Sequence, residues 1–213
     1  MGLYYQSGSV LALEQCCLNL TALESERVAA PFAVAGVLIS SGDYQAQTPT
    51  CSFRGAPDAL ASRASPLDSV EIRLGGEEAK LCYGRPSANG RVMVGGEDPF
   101  GLPWRMGANE PTTLHLPFPA TVGNVALSPG SYTLYAIPQD GAWTIVVNSN
   151  TNRWGIPLSP DVRRSDVGSF SVTPATESDH VETLTFSFEG SGTSGELVYR
   201  WETTSFRVPI SRR

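Results

Sequence analysis

The sequence predicts an all-β protein: an antiparallel β-sandwich of roughly nine to ten strands with an N-terminal extension. One observation is the alternation of apolar and polar residues in short segments from residue 70 onward, which buries one face of each segment. A second is the content of 21 glycines and 16 prolines, which supply turns between these segments. A third is the short spacing between segments, which leaves no room for the helices of a βαβ fold.

The first predicted strands form a hairpin. Residues 70–74 alternate apolar and polar side chains, Gly75 and Gly76 form the turn, and residues 79–83 return. Strands at residues 112–116 and 122–127 follow, and prolines or a Ser-Pro-Gly turn end them. The hairpin therefore leads into a long loop before the third strand.

The second half of the chain continues the β pattern. Residues 131–137 are apolar on both faces, which is typical of a central strand, and residues 143–148 pair with them across a short turn. Residues 160–167 read as an irregular segment. The remaining predicted strands are at residues 168–172, 181–188, 196–203 and 205–210. We expect one β-sandwich domain over residues 51–213.

Residues 1–50 have a different character. Arg27 precedes a dozen apolar residues, 28–39, too few to cross a bilayer as a helix. This pattern fits the hydrophobic region of a secretory signal, with Ala46 beside a cleavage site. The alternative is an uncleaved arm in which residues 1–45 contact a membrane or a protein partner. We therefore predict a periplasmic or otherwise exported protein, with membrane association as a further option.

Charge and motifs exclude several functional classes. The 213-residue chain has a formal net charge of -6, a pI of about 4.9 and no long cluster of basic residues, which argues against nucleic-acid binding. It has no nucleotide-binding glycine loop, no GxSxG and no HExxH, so we predict no cofactor and no catalytic residue. No metal site is predicted either, since the two weak candidates, His115 and His180, have no ligand spacing between them.

The loop over residues 82–110 is the densest run of special residues and is the predicted site. Guanidinium and amide groups here suit a carboxylate or another small anion, with aromatic rings as walls. The alternative is a structural loop in which arginines satisfy buried carbonyls and Arg105 pairs with Glu110. The candidate ligand-binding residues are Tyr83, Arg85, Arg91, Trp104, Arg105, Asn109 and Glu110.

This loop also resembles a known signature. The matching elements are YGRP at residues 83–86, GR at 90–91, GG at 95–96, WR at 104–105 and GANE at 107–110. With further matches downstream, residues 51–210 resemble the bacterial domain-of-unknown-function family 2911. The resemblance implies an all-β domain in exported bacterial proteins, without an established reaction. The chain departs from the usual pattern at Val94, where the family tends to carry an aromatic residue or Ile, and at Met106, where the family tends to carry Thr.

The four cysteines are Cys16, Cys17, Cys51 and Cys82, and none forms a CxxC pair, which argues against zinc-ribbon and thioredoxin sites. Cys51 and Cys82 both lie in the part that resembles the family. In an oxidising compartment these two thiols can form a disulfide. The alternative is two separate buried thiols.

Two functions remain open from sequence. The first is an exported, non-enzymatic structural or binding subunit, docked by its N-terminal arm on a membrane-associated assembly such as a respiratory or photosynthetic complex. The alternative is a protein or enzyme that binds a small anion or carboxylate in a pocket formed by Arg85, Arg105 and Asn109.

Overall fold

The computed structural model describes residues 49–54 and 60–213, and this part of the chain is an open antiparallel β-sandwich of ten strands. The predicted fold class is therefore confirmed. One sheet has the strand order β1-β2-β3-β6-β7-β8, and the other has the order β5-β4-β10-β9. The strands are β1 (Leu67–Leu74), β2 (Glu77–Gly84), β3 (Thr112–Leu116), β4 (Ala120–Val122), β5 (Val125–Leu127), β6 (Gly130–Ile137), β7 (Trp143–Asn148), β8 (Asp166–Val172), β9 (Ala175–Ser191) and β10 (Ser194–Arg212).

The β1–β2 hairpin follows directly from its sequence. Gly75 and Gly76 have φ angles of 61° and 83°, a left-handed pair that suits a two-residue hairpin turn. The turn sets Leu74 opposite Glu77 in the register. Ile72 and Leu74 are fully buried, as the alternation predicts, so the inward face of this strand lies in the core.

The single strand predicted at residues 122–127 is instead a hairpin. Gly123, with φ of 60°, turns the chain between β4 and β5. A side chain at Gly123 would overlap the ring of Phe170, so a glycine is needed here for both backbone and space. Apolar residues on both sides of the turn make the two short strands look continuous in the sequence.

The end of the chain differs from the prediction in the opposite way. The two strands expected at residues 196–203 and 205–210 are one strand, β10. Its pairing with β9 shifts between Arg200 and Thr204, and Glu202 has a φ of 52°. Such a bulge reverses which side chains face the core, and so interrupts the alternation without ending the strand.

The segment expected to be irregular at residues 160–167 contains a one-turn helix, α1 (Pro160–Arg163), followed by the start of β8. Ser159 caps the helix by accepting a hydrogen bond from the Val162 N–H, and Pro160 fits its first turn. A helix of one turn leaves too little periodicity to be predicted from the pattern of apolar residues.

Aromatic side chains dominate the core between the two sheets. Tyr199 stacks on Phe206 with ring centroids 4.4 Å apart, and Trp143 packs 5.4 Å from Phe206. Trp104, from the long loop after β2, lies 5.9 Å from Trp201 in a stacked arrangement. Trp104 is only 7% exposed, so the loop that carries it is part of the core.

Cys51 and Cys82 form a disulfide with their Cα atoms 5.6 Å apart. The bond ties residues 49–54 to β2, across a sequence separation of 31 residues. Of the two alternatives open from sequence, the structure thus has the bonded one.

The predicted N-terminal arm, residues 1–50, lies almost entirely outside the described residues. Within residues 49–54 and 60–213, no helix has the length and apolar character needed to cross a membrane.

Candidate functional site

The long loop between β2 and β3, residues 85–111, is fixed to both sheets by backbone hydrogen bonds. Trp104 exchanges two hydrogen bonds with Ala136 of β6, at 2.7 and 2.8 Å. On the other sheet, the Ala88 N–H donates to the Glu182 carbonyl at 2.9 Å. The loop therefore holds its side chains in fixed positions, as a binding site requires.

Close backbone contacts explain why this region is rich in glycine. A side chain at Gly84 would overlap the Ala108 carbonyl, and one at Gly155 would overlap the Asn109 carbonyl. Only glycine permits backbone segments to approach this closely. Gly84 and Gly155 thus permit the close packing that positions the loop.

The loop surrounds a cleft of about 400 Å³, which we call the Arg105 cleft. Buried Met93, Trp104 and Trp201 contribute apolar surface to it, and the charged side chains in its lining come from Arg91, Glu97, Asp98 and Arg105. Its other lining residues are Ser65, Pro86, Pro99, Leu102, Pro103, Gly107, Ala108 and Ile156. The cleft therefore combines an apolar wall with charges of both signs.

Arg105 is held at one end and free at the other. Its Nε donates a hydrogen bond to the Gly107 carbonyl at 3.0 Å. Its two terminal nitrogens donate no hydrogen bond to any residue in the described part of the chain. Burial lowers the pKa of the Arg105 guanidinium. The negative charges of Asp98 and Glu110 raise that pKa, but they offset the effect of burial only in part. The positive charge is thus incompletely compensated within the protein.

Asp98 is the second polar group of interest in the cleft. Burial raises the pKa of its carboxyl to about 6, against the lowering influence of Arg105. Its backbone is fixed, because its N–H donates to the Met93 carbonyl at 2.8 Å and its carbonyl accepts from Gly95. No residue of the described chain donates a hydrogen bond to its carboxylate. A half-buried carboxyl without a partner is a typical feature of functional sites.

Asp98 is absent from the residues predicted from sequence. Glu97 and Asp98 are neighbours in the sequence, and in a strand two such side chains point to opposite faces, so their adjacency alone does not indicate a shared site. The segment is instead a turn, with hydrogen bonds from Gly95 N–H and Asp98 N–H across it. The signal for a turn was present in Gly95, Gly96 and Pro99, which flank the acids.

Arg91, Trp104 and Arg105 are the predicted site residues that the structure brings together in the cleft. Arg91 also donates from Nε to the Ala88 carbonyl at 2.9 Å and from a terminal nitrogen to the Ser87 carbonyl at 3.2 Å, which fixes its guanidinium. Trp104 lines the cleft while most of its surface is buried in the core.

Arg85 and Asn109 lie elsewhere, so the pocket expected from Arg85, Arg105 and Asn109 is not formed. Arg85 donates to the Leu184 carbonyl at 3.1 Å and to the Thr185 hydroxyl at 2.9 Å, and so links the loop to β9. Asn109 donates to the Ser65 carbonyl at 3.1 Å. Both side chains satisfy protein groups, which is the structural alternative considered for this loop.

Glu110 also has a structural position, although its partner is not the expected Arg105. Its carboxylate accepts from the Arg63 guanidinium at 2.7 Å and from the Arg54 N–H at 2.9 Å. Burial raises the pKa of Glu110, but these hydrogen bonds outweigh it and hold the pKa below its usual value. The Arg63 side chain is only 14% exposed, so both members of this ion pair are largely removed from solvent.

Tyr83 packs between the two sheets. Its hydroxyl donates to Asp68 at 3.3 Å and accepts from the Phe186 N–H at 3.2 Å. Burial raises the pKa of Tyr83 to about 12, so the hydroxyl keeps its proton and continues to donate. Tyr83 therefore connects β2 to β9 and does not line the cleft.

The two histidines do not form a joint site. His115 shares a hydrogen bond of 2.8 Å with the Ser131 hydroxyl on the first sheet, and burial lowers the pKa of its ring. His180 lies on the second sheet, 3.3 Å from Glu182. Within the described residues, no group of three or more His, Cys, Asp or Glu side chains is arranged to hold a metal ion.

Met106, at the position where the resembled family tends to carry Thr, is a core residue. It is fully buried and has a φ of 56°. Its carbonyl accepts a hydrogen bond from the Thr112 hydroxyl at 2.8 Å. This position thus stabilises the end of the loop and offers no side chain to the cleft.

Comparison with known proteins gives one match. The family model described as "Protein of unknown function (DUF2911)" matches residues 65–210, which include the whole loop and the cleft. No curated protein and no solved structure matches the chain significantly.

Proposed function

The chain belongs to the DUF2911 family, and we propose that it is an exported, non-enzymatic β domain that binds a small carboxylate ligand in the Arg105 cleft. The observation that carries this proposal is the free end of the Arg105 guanidinium in a cleft of about 400 Å³. Ligand sites are concave, largely apolar and supplied with a few fixed polar groups, as this cleft is.

The chemistry of Arg105 indicates the class of ligand. A planar guanidinium presents two parallel N–H groups that match the two oxygens of a carboxylate. Because Nε is engaged by the Gly107 carbonyl, the terminal nitrogens remain for the ligand and the side chain is already oriented. The walls formed by Trp104 and Met93 limit water and so strengthen this interaction.

The lining of the cleft supports binding rather than catalysis. Enzymes that use a nucleophile place it within hydrogen-bond distance of a base. Among the described residues that line the cleft, the one hydroxyl side chain belongs to Ser65, and no histidine or cysteine accompanies it. The charged groups of the cleft can hold a ligand, but they do not form a nucleophile–base pair.

Export is supported by the disulfide between Cys51 and Cys82, because such bonds persist in oxidising compartments. The apolar segment at residues 28–39 supports the same localisation. In a bacterium this compartment is the periplasm.

A second candidate function is that of an accessory subunit, docked by residues 1–50 on a membrane-associated complex. The observation that favours it is a group of exposed apolar side chains around the cleft: Val92 (68% exposed), Phe100 (47%), Leu102 (57%) and Ile156 (51%). Exposed apolar groups in one region are typical of surfaces that contact another protein or a membrane.

Ligand binding is tested by isothermal titration of the protein with 4-methylpentanoate, a carboxylate with a branched apolar tail. We expect Arg105→Gln to weaken binding roughly tenfold or more, since it removes the charged donor. The glutamine amide can still donate to the Gly107 carbonyl, so the loop should stay folded. Arg73→Gln, at a side chain that is 73% exposed on β1, is the matched control and should bind normally. Equal affinity in all three proteins would contradict the proposal.

Docking is tested by mild-detergent extraction of the native membrane, size separation and intact-mass analysis of this chain. Migration with a large complex at the full-length mass would support the subunit function. A free species that begins near residue 47 would contradict it and leave a processed periplasmic binding domain. Deletion of residues 1–45 should leave a folded domain that no longer associates with membrane or partner.

A further inference from the structure

The Arg105 cleft carries balanced charge. Arg91 and Arg105 contribute two positive charges, and Glu97 and Asp98 contribute two negative ones, so the formal charge of the lining is zero. A ligand with a carboxylate alone would compensate the charge of Arg105 but would leave the negative charge of Asp98 without a positive partner. Such a lining suits a ligand that is itself neutral overall but carries separated charges.

Arg105 and Asp98 are both available to a ligand. The two side chains line the same cleft, yet they form no ion pair with each other. Arg105 has two terminal nitrogens without a hydrogen bond, and the Asp98 carboxylate accepts none from the described part of the chain. Each group is also half-buried and has lost part of its hydration. No protein hydrogen bond replaces that water at the Asp98 carboxylate or at the terminal nitrogens of Arg105.

Apolar surface completes the cleft. Met93 and Trp104, each 7% exposed, form part of its wall, and Leu102 and Ile156 line its more exposed side. The volume of about 400 Å³ falls in the range of small-molecule sites. An apolar group of roughly four to six carbons has the size of the common aliphatic side chains. If the charged end of a ligand carried such a group, the group would contact this wall.

We propose that the cleft binds a zwitterionic ligand of the α-amino-acid type with an apolar side chain. The ligand's carboxylate pairs with the terminal nitrogens of Arg105, its ammonium group pairs with Asp98, and its side chain contacts Met93 and Trp104. This inference rests on the proposed carboxylate-binding function and specifies the ligand class of the same site.

Three probes of one carbon skeleton separate the contributions. Leucine carries both charged groups, 4-methylpentanoate lacks the amine, and 3-methylbutylamine lacks the carboxylate. In calorimetric titrations of the full chain at about pH 8, where Asp98 is ionised, we expect leucine to bind at least roughly tenfold tighter than either single-charge probe.

Asp98→Asn provides the residue-specific test. This variant has the same shape without the charge, and it should bind leucine and 4-methylpentanoate with similar affinity. Retained binding of 4-methylpentanoate shows that the variant is folded and that Arg105 still acts. Glu71→Gln, at an exposed carboxylate on β1, is the control and should keep the preference for leucine.

The possible failures are distinguishable. If 4-methylpentanoate binds the native protein as tightly as leucine, the zwitterion proposal is overturned and carboxylate binding stands. If leucine is preferred but Asp98→Asn keeps that preference, the assignment of the ammonium group to Asp98 is wrong. If none of the three probes binds, both the inference and the proposed function fail for this ligand class.

Discussion

Arg105 and Asp98 line one cleft without forming an ion pair, because each is positioned by other groups. The Nε of Arg105 is directed to the Gly107 carbonyl at 3.0 Å, and the backbone of Asp98 is fixed by the Met93 carbonyl at 2.8 Å. Opposite charges kept apart in a half-buried site cost free energy unless something binds between them. The arrangement is therefore preorganised for a ligand rather than for internal pairing.

The pH dependence of the free energy of unfolding should show the effect of burying the Asp98 carboxyl. Its pKa in the folded protein is about 6, raised by burial despite Arg105 and Arg91, and raised further by Glu97 and Glu202. A carboxyl whose pKa is raised on folding favours the folded state fully at low pH, and this contribution is lost as pH rises from about 4 to about 6. Asp98→Asn should therefore be more stable than the native protein at about pH 7, by about 1 kcal/mol after allowance for solvent screening.

The measurement is urea unfolding of both proteins at about pH 4 and pH 7. The two proteins should differ less at the lower pH, where Asp98 is protonated in the folded protein and about half protonated in the unfolded chain. A variant that is less stable than the native protein at the higher pH would contradict the account.

The ion pair between Arg63 and Glu110 should contribute substantially to stability. The two side chains are 14% and 8% exposed, and the hydrogen bond between them is 2.7 Å long. Glu110→Gln leaves the Arg63 charge without compensation and should lower the free energy of unfolding by about 2 kcal/mol. Because the pKa of Glu110 is lowered in the folded state, this contribution is present above the unfolded pKa and is lost as pH falls through the folded pKa.

Glu71→Gln is the matched control for this measurement. Glu71 pairs with Arg73 at 3.0 Å, but both side chains are more than half exposed. Exposed pairs contribute little, so the control should change stability by less than about 0.5 kcal/mol. Similar effects for Glu110→Gln and Glu71→Gln at neutral pH would show that burial does not strengthen the first pair.

The strands could be predicted because their information is local. Alternation placed Ile72 and Leu74 in the core, and Gly75 and Gly76 marked the turn between β1 and β2. The errors also have local causes: Gly123 turns within an apolar run, and the bulge at Glu202 changes the phase of the alternation within β10. Neither feature changes the composition enough to be recognised from sequence.

The site was predictable only in part, because its geometry depends on contacts between distant residues. Composition identified the loop and Arg105, but the partner of Glu110 is Arg63, 47 positions away. Arg85 is directed to β9, about a hundred positions later, by its hydrogen bonds to Leu184 and Thr185. Such pairings are set when the sheets pack together, so the residues of the loop alone do not specify them.

Gly84 should tolerate no side chain. A Cβ at this position would overlap the Ala108 carbonyl. The two backbone segments cannot move apart without loss of the hydrogen bond from the Ala108 N–H to the Gly84 carbonyl, which holds the loop against β2. We expect Gly84→Ala to lower the free energy of unfolding by about 3 kcal/mol or more. Gly90→Asn is the control, since Gly90 has open space around it and Asn tolerates its φ of 73° at a cost below about 1 kcal/mol. Equal effects of the two changes in thermal unfolding would exclude the proposed steric role.

The disulfide should stabilise the domain because it closes a loop in the unfolded chain. The bond links Cys51 to Cys82, 31 residues apart, and so reduces the conformational entropy of the unfolded chain. This raises the free energy of the unfolded state by about 3–4 kcal/mol. The double variant Cys51→Ala, Cys82→Ala should therefore unfold at lower temperature, and its unfolding should not respond to reductant. Intact-mass analysis after alkylation gives an independent check: these two cysteines should be modified only after reduction. Alkylation of both without reductant would show that the bond is absent.

The most direct test of the central claim is to observe where a carboxylate binds. The chain has four tryptophans, and their indole N–H groups give separate signals in a two-dimensional nitrogen–proton spectrum. Titration with 4-methylpentanoate should shift the signals of Trp104 and Trp201, which line the cleft, and leave that of Trp143 in the core unchanged. These shifts should disappear in Arg105→Gln. Shifts that persist in that variant, or that spare Trp104 and Trp201, would contradict a carboxylate site at Arg105.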